Sequence, residues 1–386
     1  MCKSVGYSRL RFKLFFAKNS LNRKVDTMIV IGRETEDAFC EKLADELTKL
    51  NGDEEAVFYP VEHRHHPDGE TLPRLTDGPK DPDEITRLRD MGDGIKKLPP
   101  SERSFYKPPN ELIKRVRNGE KALVIGRGKA GKHWDPNDVF MDSLLLSGEL
   151  RDRCRKAEIC VVWPYYPYSR QHDRYIFGQP HSAKLVRKAI TDNRRFADML
   201  ITVSAHNYRT TGEMDGNCWN LDATPAVIEY AKTIGFLDDR YLVTCDSGQS
   251  LGELRFPLAE AINAGTVALR KERDRLEGDV RVHTKVMEDM EHPEKTSLLY
   301  YDDELATGGT LYKHISRVIG LGFLPENIHV VVVAAKDNPN KKLGKYGAEC
   351  INELGVNLAA SDTIESPYAR FSVTSILAKY IQETFW

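Results

Sequence analysis

The chain has 386 residues, 40% hydrophobic and 30% charged, with a formal net charge of -2. That is roughly two to three domains' worth of sequence, and the composition excludes disorder over most of its length. A nearly neutral molecule offers no attractive field to a polyanion, so nucleic acid is not an expected partner. With no apolar run near the roughly 18 to 20 residues that span a bilayer, neither is a membrane.

The first 24 residues carry seven Lys or Arg and no acid, a pattern that transit peptides share. Arg11 and Lys13 break the apolar segment Leu10 to Phe16 and spoil a secretory signal. Met28 directly opens the first strand-like run, so an over-called start is the favoured reading and residues 1–27 are set apart as an extension. Seven cysteines without a Cys-x-x-Cys pair or a zinc-site spacing read as buried thiols in a reducing compartment, the cytoplasm.

Short apolar runs then recur at Met28–Ile31, Ala122–Ile125, Ile159–Trp163, Met199–Val203, Leu242–Thr244, Leu298–Tyr301 and Val330–Ala334. Several are continuously apolar rather than alternating, as strands buried on both faces are. Near Glu36, the residues Phe39, Leu43, Leu47 and Leu50 are spaced to share one helix face. The pattern predicts an α/β protein with mainly parallel sheets flanked by helices. Between Thr76 and Asn118 it lapses into Pro/Gly-rich, charged sequence, read as a surface insertion (about 76–118) with one short helix at Asn110–Arg117. The strand-helix alternation occurs twice, around a change near Leu221 to Pro225, which predicts two similar halves.

The sharpest local signal runs from Leu298 to Thr310. Four apolar residues are followed by Asp302 and Asp303, then by Thr307, Gly308, Gly309 and Thr310 opening a helix. Glycines let backbone N–H groups approach an anion, hydroxyls add donors, and a helix N-terminus adds partial positive charge. Adjacent carboxylates accept hydrogen bonds from vicinal hydroxyls, so the combination suits a pentose 5-phosphate. A second candidate, Gly126–His133, nearly spells a P-loop, but His133 replaces the Ser/Thr that ligates Mg²⁺. Pro136 would also interrupt the helix that a P-loop requires, and the segment is read as lining a cleft.

The Asp302–Thr310 string resembles the phosphoribosyl-pyrophosphate motif of type I phosphoribosyltransferases and of ribose-phosphate pyrophosphokinases. Tyr165–Arg174, with Arg170, Gln171 and Asp173, followed by Pro180–Leu185, is similar to the pyrophosphokinase signature around an ATP-binding Arg-Gln pair. A simple phosphoribosyltransferase lacks this segment. The family's other motifs follow in order. His66–Glu70 resembles a loop that reaches the adenine in a neighbouring subunit, and Asp135–Asp138 resembles its Pro-x-Asn-Asp segment. Val243–Gly248, with Asp246, resembles its Pro-Asp-Ala-Gly-Gly loop; Arg270–Arg273 resembles its catalytic Lys/Arg segment; and Ser361–Ile364 resembles its Thr-Asn-Thr-Ile. Three positions depart from the family: His66 replaces an aromatic, Ser204 an Asp two residues before the retained His206, and Ala306 an Asp that many members carry.

The resemblance implies two phosphoribosyltransferase-like, Rossmann-like domains. One covers residues 28–221 and is completed by a C-terminal helix in 371–386; the other covers 222–370. It implies an enzyme that transfers the diphosphoryl group of Mg-ATP to the C1 hydroxyl of ribose 5-phosphate. Lys271, Arg273 and His206 would be catalytic, and Asp68, Glu70, Arg170, Gln171 and Asp173 would bind ATP. Asp246, Asp302, Asp303, Thr307, Gly308, Gly309 and Thr310 would bind the sugar phosphate, with His206 and Asp246 near Mg²⁺. Self-association to a dimer or hexamer is implied as well. A phosphoribosyltransferase and a catalytically silent regulatory subunit stay open as alternatives.

Overall fold

The computed structural model describes residues 27–33, 38–52, 55–65, 71–75, 110–133, 135–172, 174, 177–206, 217–236, 239–244, 255–268, 271–273, 280–282 and 285–386. Asp68, Glu70, Asp173, Asp246 and the His66 loop lie outside them, as does most of the 76–118 segment.

The first half is built on strands β1 (Thr27–Arg33), β2 (Glu55–His65), β3 (Thr71–Leu75), β4 (Lys121–Ile125), β5 (Ile159–Trp163), β6 (Met199–Val203) and β7 (Cys218–Leu221). Among the described residues these form one sheet in the order β3-β2-β1-β4-β5-β6-β7. All neighbours are parallel except β2 and β3. Its helices are α1 (Ala38–Asn51), α2 (Asn110–Arg117), α3 (Pro136–Arg153), α4 (Ser182–Thr191) and α5 (Thr224–Thr233). Strands β5 and β6 are buried at every position, as continuously apolar strands covered on both faces must be.

The second half has β8 (Asp239–Thr244), α6 (Arg255–Ala261), β9 (Gly265–Ala268), the antiparallel pair β10 (Lys271–Arg273) and β11 (Val280–Val282), then α7 (Lys285–Glu288). It continues with β12 (Thr296–Leu305), α8 (Gly309–Gly320), β13 (Ile328–Ala335), the two-residue strands β14 (Pro339–Asn340) and β15 (Lys345–Tyr346), and α9 (Gly347–Asn352). It ends with β16 (Asn357–Ser361), β17 (Ala369–Phe371) and α10 (Thr374–Thr384). Its described sheet, β17-β16-β13-β12-β8-β9, is parallel throughout. The mixed α/β architecture with two mainly parallel sheets is the one that the alternation of apolar runs predicts.

Three details refine the sequence reading. Helix α2 is not surface decoration: Leu112, Ile113 and Val116 are buried in the core of the first half. On α1, Phe39, Leu43 and Leu47 are buried but Leu50, in the last turn, is 42% exposed. Pro136 starts a helix rather than breaking one. It sits in the first turn of α3, where a missing N–H costs nothing, and the Asp135 carboxylate caps that helix by accepting from Asn137 N–H at 2.7 Å.

The two halves share a core. Leu299, Tyr301, Val331 and Val333 from the second half cluster with Val162, Ile201 and Val203 from the first. Helix α10 returns to the first half: Leu377, Ala378 and Ile381 join Phe39, Leu43 and Leu47 of α1 in that cluster, and the Gln382 amide donates to Asn51 Oδ1 at 3.0 Å.

On α8, His314 is buried edge-on to the Tyr300 ring, centroids 5.2 Å apart. Burial, with Arg317 adding to it, lowers its pKa to about 4. The unfolded chain takes up this proton near the ordinary value of about 6.5, so the neutral ring's contribution is complete above that pH and is lost as pH falls toward 4. Integrated over the window this is about 3 kcal/mol. Denaturant titrations of His314→Leu are expected to show a smaller loss of stability than the natural chain between pH 6.5 and 4; equal losses would refute the assignment.

Candidate active site

Ligands of open α/β sheets bind beyond the carboxyl ends of the strands, and here those ends from the two halves face each other. Strand β6 gives way to Ser204, Ala205 and His206. Ser204 takes a left-handed conformation, φ 42°, and its Oγ accepts from Ala223 N–H at 3.0 Å. The serine that stands in place of the family's Asp thus ties the turn to the start of α5. Beyond the turn, His206 Nδ1 lies 2.7 Å from Asp303 Oδ2 at the end of β12. The hydrogen bond and charge of Asp303 raise the His206 pKa against the effect of burial. Burial pushes the Asp303 carboxyl up, but the His206 contact outweighs it and holds Asp303 below its ordinary value.

Glu304, next along β12, collects partners from both halves. Tyr165 OH donates to Glu304 Oε2 at 2.7 Å, Lys336 Nζ lies 3.2 Å from the same oxygen, and Arg170 Nε contacts Oε1. Lys336 follows β13 and stands 5.4 Å from the centroid of the Tyr165 ring. Burial lowers the Lys336 pKa, opposed by the charge of Glu304. Arg170 leads out of the tight turn after β5, where Gln171 N–H donates to Tyr168 carbonyl oxygen at 2.8 Å. His172 Nδ1 donates to the Ser169 carbonyl at 3.1 Å, and its ring centroid lies 5.5 Å from that of His206.

The loop after β12 is shaped for an anion. Gly308 has φ 65°, and a Cβ there would sit 2.8 Å from the Gly347 carbonyl oxygen. The loop is held from beneath: Asn340 Nδ2 donates to Thr307 carbonyl oxygen at 2.9 Å, and Asn338 N–H to Ala306 carbonyl oxygen at 3.1 Å. No side chain caps α8, so the first-turn N–H groups of Gly309 and Thr310 keep the unmet donors and positive end that anions seek. Thr307 is exposed at the rim and Asp302 is half-buried beside Asp303.

The P-loop look-alike has another use. Ala130 N–H donates to Glu365 carbonyl oxygen at 2.8 Å and Gly131 N–H to Lys336 carbonyl oxygen at 2.9 Å, while Glu365 N–H returns a bond to Gly128 carbonyl oxygen at 2.9 Å. Lys129 Nζ lies 2.6 Å from Glu365 Oε1. These donors dock one half on the other and are not available to a phosphate.

The sequence-chosen residues Arg170, Gln171, His206, Asp302, Asp303 and Thr307–Thr310 thus belong to elements that the His206–Asp303 and Arg170–Glu304 contacts bring together. Lys271 and Arg273 lie on β10, which pairs with β11 in a two-stranded sheet of its own; their side chains are outside the described part. Sequence reasoning missed Glu304 and Lys336. Their signals were an acid extending the Asp pair and a lysine directly after an unbroken apolar strand.

The model of the N-terminal domain of ribose phosphate pyrophosphokinase matches residues 111–193, starting on α2 and including the Tyr165–Arg174 turn. The ribose-phosphate pyrophosphokinase of Thermoplasma volcanium is 26% identical over 290 residues, covering 74% of this chain and 90% of the relative. That of Methanosarcina mazei is 28% identical over 277 residues, covering 70% and 83%. Over about 70% or more of its length the chain is thus similar to ribose-phosphate pyrophosphokinases, which supports that enzyme class. The fold agrees: the crystal structure of phosphoribosylpyrophosphate synthetase from Mycobacterium smegmatis, 18% identical, superposes with a TM-score of 0.62 over 93% of this chain and 99% of that one. The two mainly parallel sheets flanked by helices agree with the fold class expected from the sequence. Among the described residues, no helix is long and apolar enough to cross a membrane, and Cys40, Cys154, Cys160, Cys218 and Cys350 are buried thiols outside any disulfide.

Proposed function

We propose that this chain makes phosphoribosyl pyrophosphate and AMP from Mg-ATP and ribose 5-phosphate. The observation that carries the reading is the His206–Asp303 pair, which joins the nucleotide side of one half to the sugar side of the other at 2.7 Å. Thr307–Thr310 hold the 5-phosphate, Asp302 and Asp303 the ribose hydroxyls with Asp246 beside the sugar, and Arg170, Gln171 and Asp173 the nucleotide. The C1 hydroxyl oxygen attacks the β-phosphorus, the bond from that phosphorus to the α–β bridging oxygen breaks, and AMP leaves carrying that oxygen while the hydroxyl proton goes to solvent. Such chemistry depends on positioning and charge neutralisation, which assigns Lys271 and Arg273 to the transferred group.

Mg²⁺ prefers oxygen ligands, keeps several waters and is commonly held through substrate phosphates. Among the described residues no cluster of three or more His, Cys, Asp or Glu is placed to hold a metal ion. Held through those phosphates, Mg²⁺ would supply neutralisation of the diphosphoryl charge, and Asp246 is the residue that would offer it an oxygen. His206, its Nδ1 engaged by Asp303, lies beside the phosphates and acts on them by hydrogen bonding and charge. Asp68 and Glu70 serving a neighbour's adenine, a dimer or hexamer, and a cytoplasmic location complete the reading.

Purified protein given Mg-ATP and ribose 5-phosphate is expected to form AMP and phosphoribosyl pyrophosphate in equal amounts. Pyrophosphate release from phosphoribosyl pyrophosphate and a nucleobase, with no AMP from ATP, would favour a phosphoribosyltransferase. Ligand binding without turnover would favour a silent subunit.

A further inference from the structure

Glu304 and Lys336 have no part in the function just proposed, yet charged side chains are almost never fully buried unless paired. The Glu304 side chain is 2% exposed and that of Lys336 9%, whereas the Arg170 side chain is 55% exposed. One buried carboxylate therefore has two cations: one sealed beneath it, the other reaching in from solvent. Tyr165 OH fixes the carboxylate in place, bonding Glu304 Oε2 at 2.7 Å and lying 2.8 Å from Ser169 Oγ, next in sequence to Arg170.

We propose that Glu304 is a positioning residue that orients the Arg170 guanidinium for the nucleotide's phosphates, with Lys336 as its permanent counter-ion. The inference rests on the assignment of Arg170 to ATP. The nearest contact to Glu304 is through Arg170 Nε, and a guanidinium carries five donors in a rigid fork, more than one carboxylate can use. Fixing the fork before the ligand arrives removes part of the cost of ordering a long, exposed side chain on binding. Lys336 keeps Glu304 neutralised, so Arg170 can give its charge to an anion without leaving a bare carboxylate in the interior, which would be costly. Because Glu304 adjoins Asp303 on β12, the strand that carries the sugar-phosphate loop also aims the nucleotide's arginine.

The test is a cycle of Glu304→Gln, Arg170→Ala and the double variant, with KM for ATP and for ribose 5-phosphate and kcat measured separately. Glu304→Gln is expected to raise KM for ATP about three- to tenfold, the range that ordering one long side chain supplies, with KM for ribose 5-phosphate unchanged. In the Arg170→Ala background the same substitution is expected to add nothing. Glu304→Gln/Lys336→Met, which neutralises the buried pair, separates positioning from folding. Its melting temperature is expected to recover toward that of the natural chain while the ATP defect persists. Additive effects of Glu304→Gln and Arg170→Ala, or recovery of KM for ATP along with stability, would overturn the inference and leave the proposed reaction standing. An Arg170→Ala variant with unchanged KM for ATP would instead remove Arg170 from the nucleotide site, and this inference with it.

Discussion

Replacing Gly308 by alanine is expected to lower kcat/KM for ribose 5-phosphate by about 10²-fold, the penalty that a misplacement near 1 Å can exact, while KM for ATP stays unchanged. An L-residue at φ 65° costs about 1–2 kcal/mol in backbone strain. Space adds to it: the new Cβ would meet Gly347 carbonyl oxygen at 2.8 Å, and the Gly347 Cα and carbonyl carbon at 3.3 Å. These are backbone atoms, so no side-chain rotation relieves the clash. Gly347 has no room to yield, since a Cβ on it would itself lie 2.3 Å from Ala306 carbonyl oxygen. With Asn340 and Asn338 holding the loop from beneath, the open direction is into the space for the anion. Isothermal titration with ribose 5-phosphate alone checks this; undiminished binding would mean that the phosphate sits elsewhere.

Asp303→Asn is expected to lower kcat by about 10²- to 10³-fold, as removal of one charge-stabilising group at a reacting centre does. The amide keeps the volume but gives up the negative charge that holds the His206 proton and, in the proposed site, one acceptor for the ribose hydroxyls. Stability supplies an independent readout. His206, its pKa raised by Asp303, contributes fully below its unfolded value and loses that contribution as pH rises through its folded one. Asp303, its pKa lowered, contributes above its unfolded value and loses that contribution as pH falls through its folded one. The pair therefore stabilises the closed arrangement of the halves between those limits. The melting-temperature gap between the natural chain and Asp303→Asn is expected to be widest near pH 5 to 6 and to narrow in alkaline buffer. A gap independent of pH would dissociate Asp303 from His206.

Much of the scaffold can be read from composition alone along the chain, because a strand covered on both faces has no polar positions to hide. All seven apolar runs, from Met28–Ile31 to Val330–Ala334, lie in strands. The β2–β3 hairpin escapes that logic: Glu62, His63 and Arg64 interrupt its apolar pattern, Pro60 and Pro73 lie within it, and its pairing is antiparallel at the sheet margin. The loop proposed to hold the phosphate is equally local, since its glycines, hydroxyls and helix start are contiguous. The cross-half pairs are not. His206 and Asp303 are 97 positions apart, Tyr165 and Glu304 139, and their meeting depends on how two sheets approach, which no local pattern encodes. The Gly126–His133 segment shows the converse: in a string resembling a nucleotide cradle, the N–H groups of Ala130 and Gly131 are spent on carbonyls of the opposite half.

Helix α10 also sets a schedule for biosynthesis. It covers the α1 face, yet the ribosome delivers it roughly 300 residues later, which at 5–20 residues per second is about 15 to 60 seconds. Through that interval Phe39, Leu43 and Leu47 await their cover, so the half translated first is completed last, and the nascent chain carries an adhesive patch that chaperones would have to shield.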